Sequence, residues 1–287
     1  MKLSLYDDFR LGVWGRGDSL VDATALVDGA TRPGDRMNVL IENWAELEPA
    51  VCRLATTVGV PLRSVTLRAA QPRPTKIVAA PVNHLAHQRE MFEAGGFDGV
   101  PATIEKYVGF LKAPSSIVGP DEPIVLPFQD RRVDHEGELG IVIGQRARNV
   151  SRAAALSHVF GYVPLLDITL RGDEDRPYRK SFDSFTPLGP AIVTADEVGD
   201  PAQLDLCVSV NGDVRQQGST SGLIYDVARL VEVYSAAMTL EPGDIIASGT
   251  LDGVSRLMPG DEITLVVGDM PPLVMAVQGM LSPTAAH

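Results

Sequence analysis

From Leu139 to Ile143 large apolar residues alternate with smaller ones, and the run is rich in β-branched side chains. Patterning with period two predicts a strand. The same signal recurs in KIVAAPV, PIVLP, GYVPLLDITL, GPAIVTA, LDLCVSV, DIIASGT, EITLVVG and LVMAVQG. MKLSLYDD and RLGVW predict further short strands near the start. Asn211-Gly212 and Pro-Gly-Asp turns at 242–244 and 259–261 punctuate them. Steps of three and four residues predict helices instead. Trp44, Leu47, Val51, Leu54 and Val58, with Val39 five residues ahead of them, make one such stripe. A second helix is expected over 83–94. A third is expected over 221–239, with Ser221 as cap and Ile224, Val227, Val231, Tyr234 and Met238 buried. Strands dominate and do not alternate regularly with helices, so the fold class is mixed α+β, strand-rich, and not a doubly wound sheet. The proline-bearing stretch QPRPTK, 71–76, is the expected junction between a small N-terminal domain, 1–72, and a larger catalytic domain, 73–287.

Composition narrows the function classes. The chain has 287 residues, 45% of them hydrophobic, enough for a substantial core. Net charge is −12 and the basic residues are scattered, which argues against nucleic acid as a partner. No apolar run approaches the roughly 18 residues of a membrane span. The start of the chain lacks the apolar segment of a secretory signal. Cys52 and Cys207 are far apart and form no zinc motif, so a reduced, cytoplasmic protein is expected.

The polar residues that interrupt the strands carry the candidate chemistry. Asp134, Glu136 and Glu138 precede the apolar run at two-residue spacing. On one continuous strand they share a face, about 6–7 Å apart, and each neighbouring pair repels by roughly 2–3 kcal/mol at an effective dielectric near 20. The pattern is read either as a solvated acidic edge or as a cation site. Asp167, after a second apolar strand, is the candidate third ligand. An all-carboxylate set favours Mg²⁺, Mn²⁺ or Ca²⁺ over zinc. His87 and Glu90 stand at i, i+3 on the second helix, either a base oriented by a carboxylate or a surface ion pair. Lys180 either holds an anionic oxygen or pairs with Asp183. Gly249-Thr250 is either a ligand-facing turn or a plain one. No phosphate-binding glycine loop, dinucleotide fingerprint, nucleophile elbow or zinc-protease helix is present.

The segments NHLAHQREM, FLKAPSSIVGP, VDHEGELGIVIG, GYVPLLDITLR, KSFDSFTPLGP, VNGDVRQQG and TLEPGDIIASGT occur in this order. Together they resemble the fumarylacetoacetate hydrolase family over roughly residues 73–287. The resemblance implies a β-roll catalytic domain, a homodimer, and one Mg²⁺ or Mn²⁺ per site, with Ca²⁺ an acceptable substitute in crystals. It assigns the metal to Glu136, Glu138 and Asp167, with Asp134 beside them. It assigns water activation to His87 and Glu90 on a mobile lid over 83–100, a catalytic contact to Lys180, and substrate contacts to Arg171, Tyr178 and Thr250. The activity it implies is hydrolysis of a C–C bond in a β-diketo or acylpyruvate-type 2-oxo acid. Oxaloacetate decarboxylation, 2-oxo acid tautomerisation or isomerisation, and non-catalytic binding of a 2-oxo acid are the alternatives. The chain departs from the family at His84, where Tyr is common, at Leu251, where Pro is usual, and at Glu174, where Gln is frequent. A Glu174 that faced the substrate would repel a distal carboxylate and direct the site to a neutral or shorter tail.

Overall fold

The computed structural model describes residues 1–93 and 103–280. Of the lid expected over 83–100, residues 94–100 lie outside the described residues.

The alternation around Ile141 becomes the strand Gly137–Ile143, antiparallel to Val159–Leu166 on one side and Ile245–Ala247 on the other. Leu139, Ile141 and Ile143 enter one core, and Val142 enters a second on the opposite face, as period two requires. These strands are central in a ten-stranded sheet. On one side it continues through Ile77–Ala79 to Phe110–Lys112. On the other it runs through Ile192–Thr194, Lys2–Tyr6, Arg10–Trp14 and Ser19–Asp22 to Val60–Pro61. The pairing of Ile245–Ala247 with Ile77–Ala79 is parallel. A five-stranded sheet packs on the first core and is ordered Asp213–Ser219, Asp205–Val210, Glu262–Val267, Leu273–Gly279, Ile124–Leu126. Its first hairpin turns at Asn211 and Gly212, both at positive φ (53° and 86°), the primed turn that Asn-Gly favours. The fold is strand-rich mixed α+β, as expected.

Residues 1–72 supply the strands at one end of the main sheet, and Leu3, Leu5 and Met37 share the second core with Val142, Val163 and Ile245. Gln71, in the proline-rich junction, is fully buried and donates from Nε2 to the Gly243 carbonyl at 2.7 Å.

The helices differ from the sequence pattern at their ends. The first stripe forms two helices, Arg36–Glu42 and Trp44–Ala55, broken at Asn43, and Val58 is exposed beyond them. The last helix is Val227–Ala237, capped by Asp226, whose carboxylate accepts from the Arg229 N–H at 2.8 Å. Ser221 instead lies in a short 3₁₀ turn, Thr220–Gly222. Ile224 and Tyr225 cannot join the helix because their N–H groups bond to the carbonyl and side-chain oxygen of Asn83. The helix Leu85–Glu93 matches the expected second one within the described residues.

Candidate active site

The acidic segment does not run as one strand. Val133–His135 belongs to a small sheet with Thr169–Leu170 and Ser255–Arg256, and the chain changes sheets at Glu136. Asp134 still lies beside Glu136, because the Arg171 guanidinium reaches both. It is fully buried and accepts from Arg132 Nε and Arg171 Nε, each at 2.7 Å. The ladder pairs Gly137 with Leu166, so Glu136 and Asp167 flank the same end of it, and the Asp167 N–H donates to the Glu136 carbonyl at 2.8 Å. Glu138 follows one residue beyond Gly137. A Cβ on Gly137 would stand 2.3 Å from Val208 Cγ2, so only glycine lets the two sheets close at this point. The result is a buried cluster in which Glu136, Glu138 and Asp167 each offer an oxygen within 4.8 Å of the others.

Two lysines sit on this cluster. Lys180 Nζ donates to Glu136 Oε2 at 2.6 Å and to Asp167 Oδ2, and so does not pair with Asp183. Lys112 Nζ donates to Asp167 Oδ1 and, at 2.8 Å, to the Phe185 carbonyl. Thr169 Oγ1 donates to Glu136 Oε1 at 3.0 Å, and the Gly249 N–H donates to Glu138 Oε2 at 2.7 Å. Burial works to raise the Glu136 carboxyl, but Lys180 and Arg171 outweigh it and hold the group below the usual range. Burial and then Asp167 push Glu138 well above that range. Lys180 is raised, because Asp167 and Glu136 overcome the cost of burial, whereas burial prevails at Lys112 and lowers it. Sequence reasoning assigned nothing to Lys112. A lysine inside the apolar strand Phe110–Lys112 was the available signal, since lysines are almost never fully buried unless paired. The donor set fits a hard divalent cation: it is all oxygen, and its crowded carboxylates gain from added positive charge.

One cavity is walled by Glu136, Glu138, Lys180, Thr250 and His87. His87 Nδ1 and Glu90 Oε2 are 2.8 Å apart, and Glu90 Oε1 accepts the Gly253 N–H at 3.0 Å. Burial alone would raise the Glu90 carboxyl, but His87 and the Gly253 N–H together bring it below its ordinary value. With Nδ1–H donated to Glu90, a neutral His87 ring accepts protons at Nε2. Thr250 Oγ1 already donates to the Gly137 carbonyl at 3.0 Å and accepts from Gln216 Nε2 at 2.9 Å, so it braces the segment between the two glutamates. Arg171 lines the cavity and also reaches to within 3.6 Å of Glu136 Oε1. Tyr178 does not line it; the ring is 56% exposed and lies edge-on to Phe182, centroids 5.2 Å apart.

The three departures from the family pattern are structural. His84 is buried, accepts the Ala86 N–H at Nδ1 (3.2 Å) and reaches the Ser219 carbonyl with Nε2 (3.1 Å). Leu251 is buried against Gly218. Glu174 forms a two-pronged ion pair with Arg131 at 2.7 and 2.8 Å, which draws its carboxyl down to about 2. It does not line the cavity, so the expected repulsion of a distal carboxylate does not arise.

A model of the fumarylacetoacetate hydrolase C-terminal region matches residues 76–278. The maleylpyruvate hydrolase of Aquipseudomonas alcaligenes is 38% identical over 291 residues, covering 98% of this chain and 100% of that protein. The crystal structure of maleylpyruvate hydrolase from Sphingobium sp. SYK-6, in complex with manganese(II) ion and pyruvate, superposes with a TM-score of 0.86 at 40% identity, covering 98% of this chain and 100% of that one. A mitochondrial oxaloacetate tautomerase of Bos taurus is 35% identical over 270 residues, 89% of this chain and 83% of the relative.

Proposed function

The chain belongs to the fumarylacetoacetate hydrolase family, and from that premise we propose that it is a divalent-metal-dependent hydrolase cleaving a C–C bond in an acylpyruvate-type 2-oxo acid. The observation that carries the reading is one cavity lined by His87, which is paired with Glu90 behind it, and by Glu136 and Glu138 of the acid triad. Glu136, Glu138 and Asp167 would hold Mg²⁺ or Mn²⁺; the manganese and pyruvate in the relative's structure support this. When bound, the cation supplies Lewis-acid stabilisation of negative charge on the oxygens of the 2-oxo acid.

The protein's own groups do the rest. His87 takes a proton from water at Nε2, while Glu90 fixes the tautomer and stabilises the imidazolium. The water oxygen adds to the acyl carbonyl carbon. The bond from that carbon to the pyruvyl methylene breaks, and its electron pair stays with the pyruvyl carbon. Reprotonation there yields pyruvate and a carboxylic acid. Lys180 donates to the oxygen that gains charge, and Arg171 orients Glu136 while facing the substrate. Thr250 lines the binding cavity; Tyr178, outside it, has no part in this scheme. We further propose a cytoplasmic homodimer; the family resemblance supports the dimer and the two free cysteines, Cys52 and Cys207, support the reduced compartment, and among the described residues no helix is long and apolar enough to cross a membrane.

His87→Ala tests the scheme. Acylpyruvate cleavage with saturating Mn²⁺ is expected to fall by about 10²–10⁴ in kcat, the range for loss of a general base. Mn²⁺ affinity, measured by calorimetry, is expected to hold, because His87 is not a ligand. Tautomerisation or decarboxylation of oxaloacetate needs no attacking water, and the tautomerase relative favours that as the second reading. Cleavage that stays within about threefold of wild type in His87→Ala would replace the first reading with the second.

A further inference from the structure

We propose that Gln216 is a positioning residue for the cleavage reaction: its side-chain amide fixes the His87–Glu90 pair in register with the glutamates of the acid triad. The reaction rests on the hydrolase reading above; the tether does not.

A β-bulge puts the amide in place. The strand Asp213–Ser219 pairs Gln216 with Val208 and Val214 with Ser209, which leaves Arg215 as an extra residue. In an unbroken strand Val214 and Gln216 would share a face. Here Val214 is 57% exposed and Gln216 only 1%. The loop that follows Gly249 runs against this bulge. Gly253 has φ +85°, and a Cβ on it would stand 2.0 Å from the Arg215 carbonyl oxygen, so glycine lets the loop pass this close.

The buried amide bonds in two directions. Its Oε1 accepts the Gly137 N–H at 2.9 Å, between Glu136 and Glu138. Its Nε2 donates to Thr250 Oγ1 at 2.9 Å and to the carbonyls of Leu251 and Asp252 at 2.8 and 3.3 Å. The next residue of that loop, Gly253, donates its N–H to Glu90 Oε1, and Glu90 holds His87. One chain of contacts thus runs from the backbone of the acid segment through Gln216 and the loop to the base. Gln216 does not line the cavity, so it acts through the groups it holds.

A buried amide is costly to desolvate, and an apolar side chain of similar size would fill the space without that cost. What the amide adds is geometry, because a satisfied buried network specifies one arrangement. The quantity it sets is the distance from the triad to His87 Nε2. A shift of about 1 Å in such a distance costs on the order of 10²-fold in rate.

The test compares wild type, Gln216→Met, His87→Ala and the double variant on maleylpyruvate and acetylpyruvate at saturating Mn²⁺. Gln216→Met is expected to lower kcat by about 10–100-fold and to leave KM within about threefold. In the His87→Ala background the same change is expected to cost less than about threefold, because no base remains to be placed. A wild-type kcat in folded Gln216→Met, or an equal fall in both backgrounds, overturns the proposal. Should Gln216→Met fail to fold, Gln216→Glu keeps the acceptor for Gly137, loses the amide donors, and is expected to act in the same direction. If wild type cleaves neither compound, the hydrolase reading fails by itself, and hydrogen exchange of the helix Leu85–Glu93 in the Mn²⁺-loaded protein decides the tether. Exchange faster by about tenfold or more in the Gln216 variant supports it, and equal exchange overturns it.

Discussion

Lys180 occupies a position between two carboxylates that a metal also needs. Its ammonium neutralises Glu136 and Asp167 from inside the protein and competes electrostatically with any incoming cation. Lys180→Met is therefore expected to move two measurements in opposite directions. Mn²⁺ affinity should tighten by roughly tenfold or more, since a unit charge a few ångströms from the ligands is removed. Acylpyruvate turnover should fall by about 10²-fold or more with loss of the charge-stabilising donor. Weaker Mn²⁺ binding by calorimetry would show that Lys180 organises the triad and does not oppose the metal. The spacing of the acids left a solvated edge and a cation site equally open, and it was the family resemblance that assigned Glu136, Glu138 and Asp167, which the fold brings together. Lys112 was not legible in the sequence, since its partner Asp167 is 55 positions away. The role of Glu174 was misjudged for the same reason: Arg131, which pairs with it, is 43 positions distant.

The helix Leu85–Glu93 carries His87 and Glu90, and its first turn depends on His84. With Nδ1 accepting from Ala86 and Nε2 donating to Ser219, the ring must be neutral. Burial lowers the His84 value, Ser219 and Asp252 oppose the shift, and His87 adds to it. The unfolded chain protonates this group near the ordinary histidine value, about 6.5, while the folded chain resists protonation until lower pH. The stabilisation is thus complete above about pH 6.5 and drains away as pH falls through the lowered folded value. Thermal midpoints are expected to decline from pH 7 to 5, and His84→Asn, which retains an acceptor for the cap, to flatten that decline. Identical slopes for the two proteins would remove His84 from this account. Element existence was readable from periodicity, and element ends were not. The late start at Asp226 depends on its cap and on Asn83 bonds that apolar spacing does not record, and the break at Asn43 leaves no mark in that spacing either. The close approach of Val208 to Gly137, beside the split of the acidic strand at Glu136, is again invisible locally.

Across the whole molecule, the strand Lys2–Tyr6 pairs with Ile192–Thr194, a contact that no local pattern could announce. The proline-rich junction suggested a boundary between residues 1–72 and 73–287, and the main sheet and its second core extend across that boundary. The two tryptophans, Trp14 and Trp44, lie in the first 72 residues, so fluorescence reports on that end while far-ultraviolet dichroism reports on all of the sheet. Urea unfolding followed by the two signals is expected to give coincident midpoints, as one cooperative unit requires. An earlier fluorescence transition would show that residues 1–72 come apart first.

The paired ammonium groups of Lys112 and Lys180 also set an order of assembly. A newly made chain can close its core around the acid triad without waiting for a metal, because the counter-charge is encoded in the polypeptide. Protein stripped of divalent cations with a chelator is therefore expected to keep a cooperative thermal transition in calorimetry, and loss of that transition would show that the lysines do not suffice.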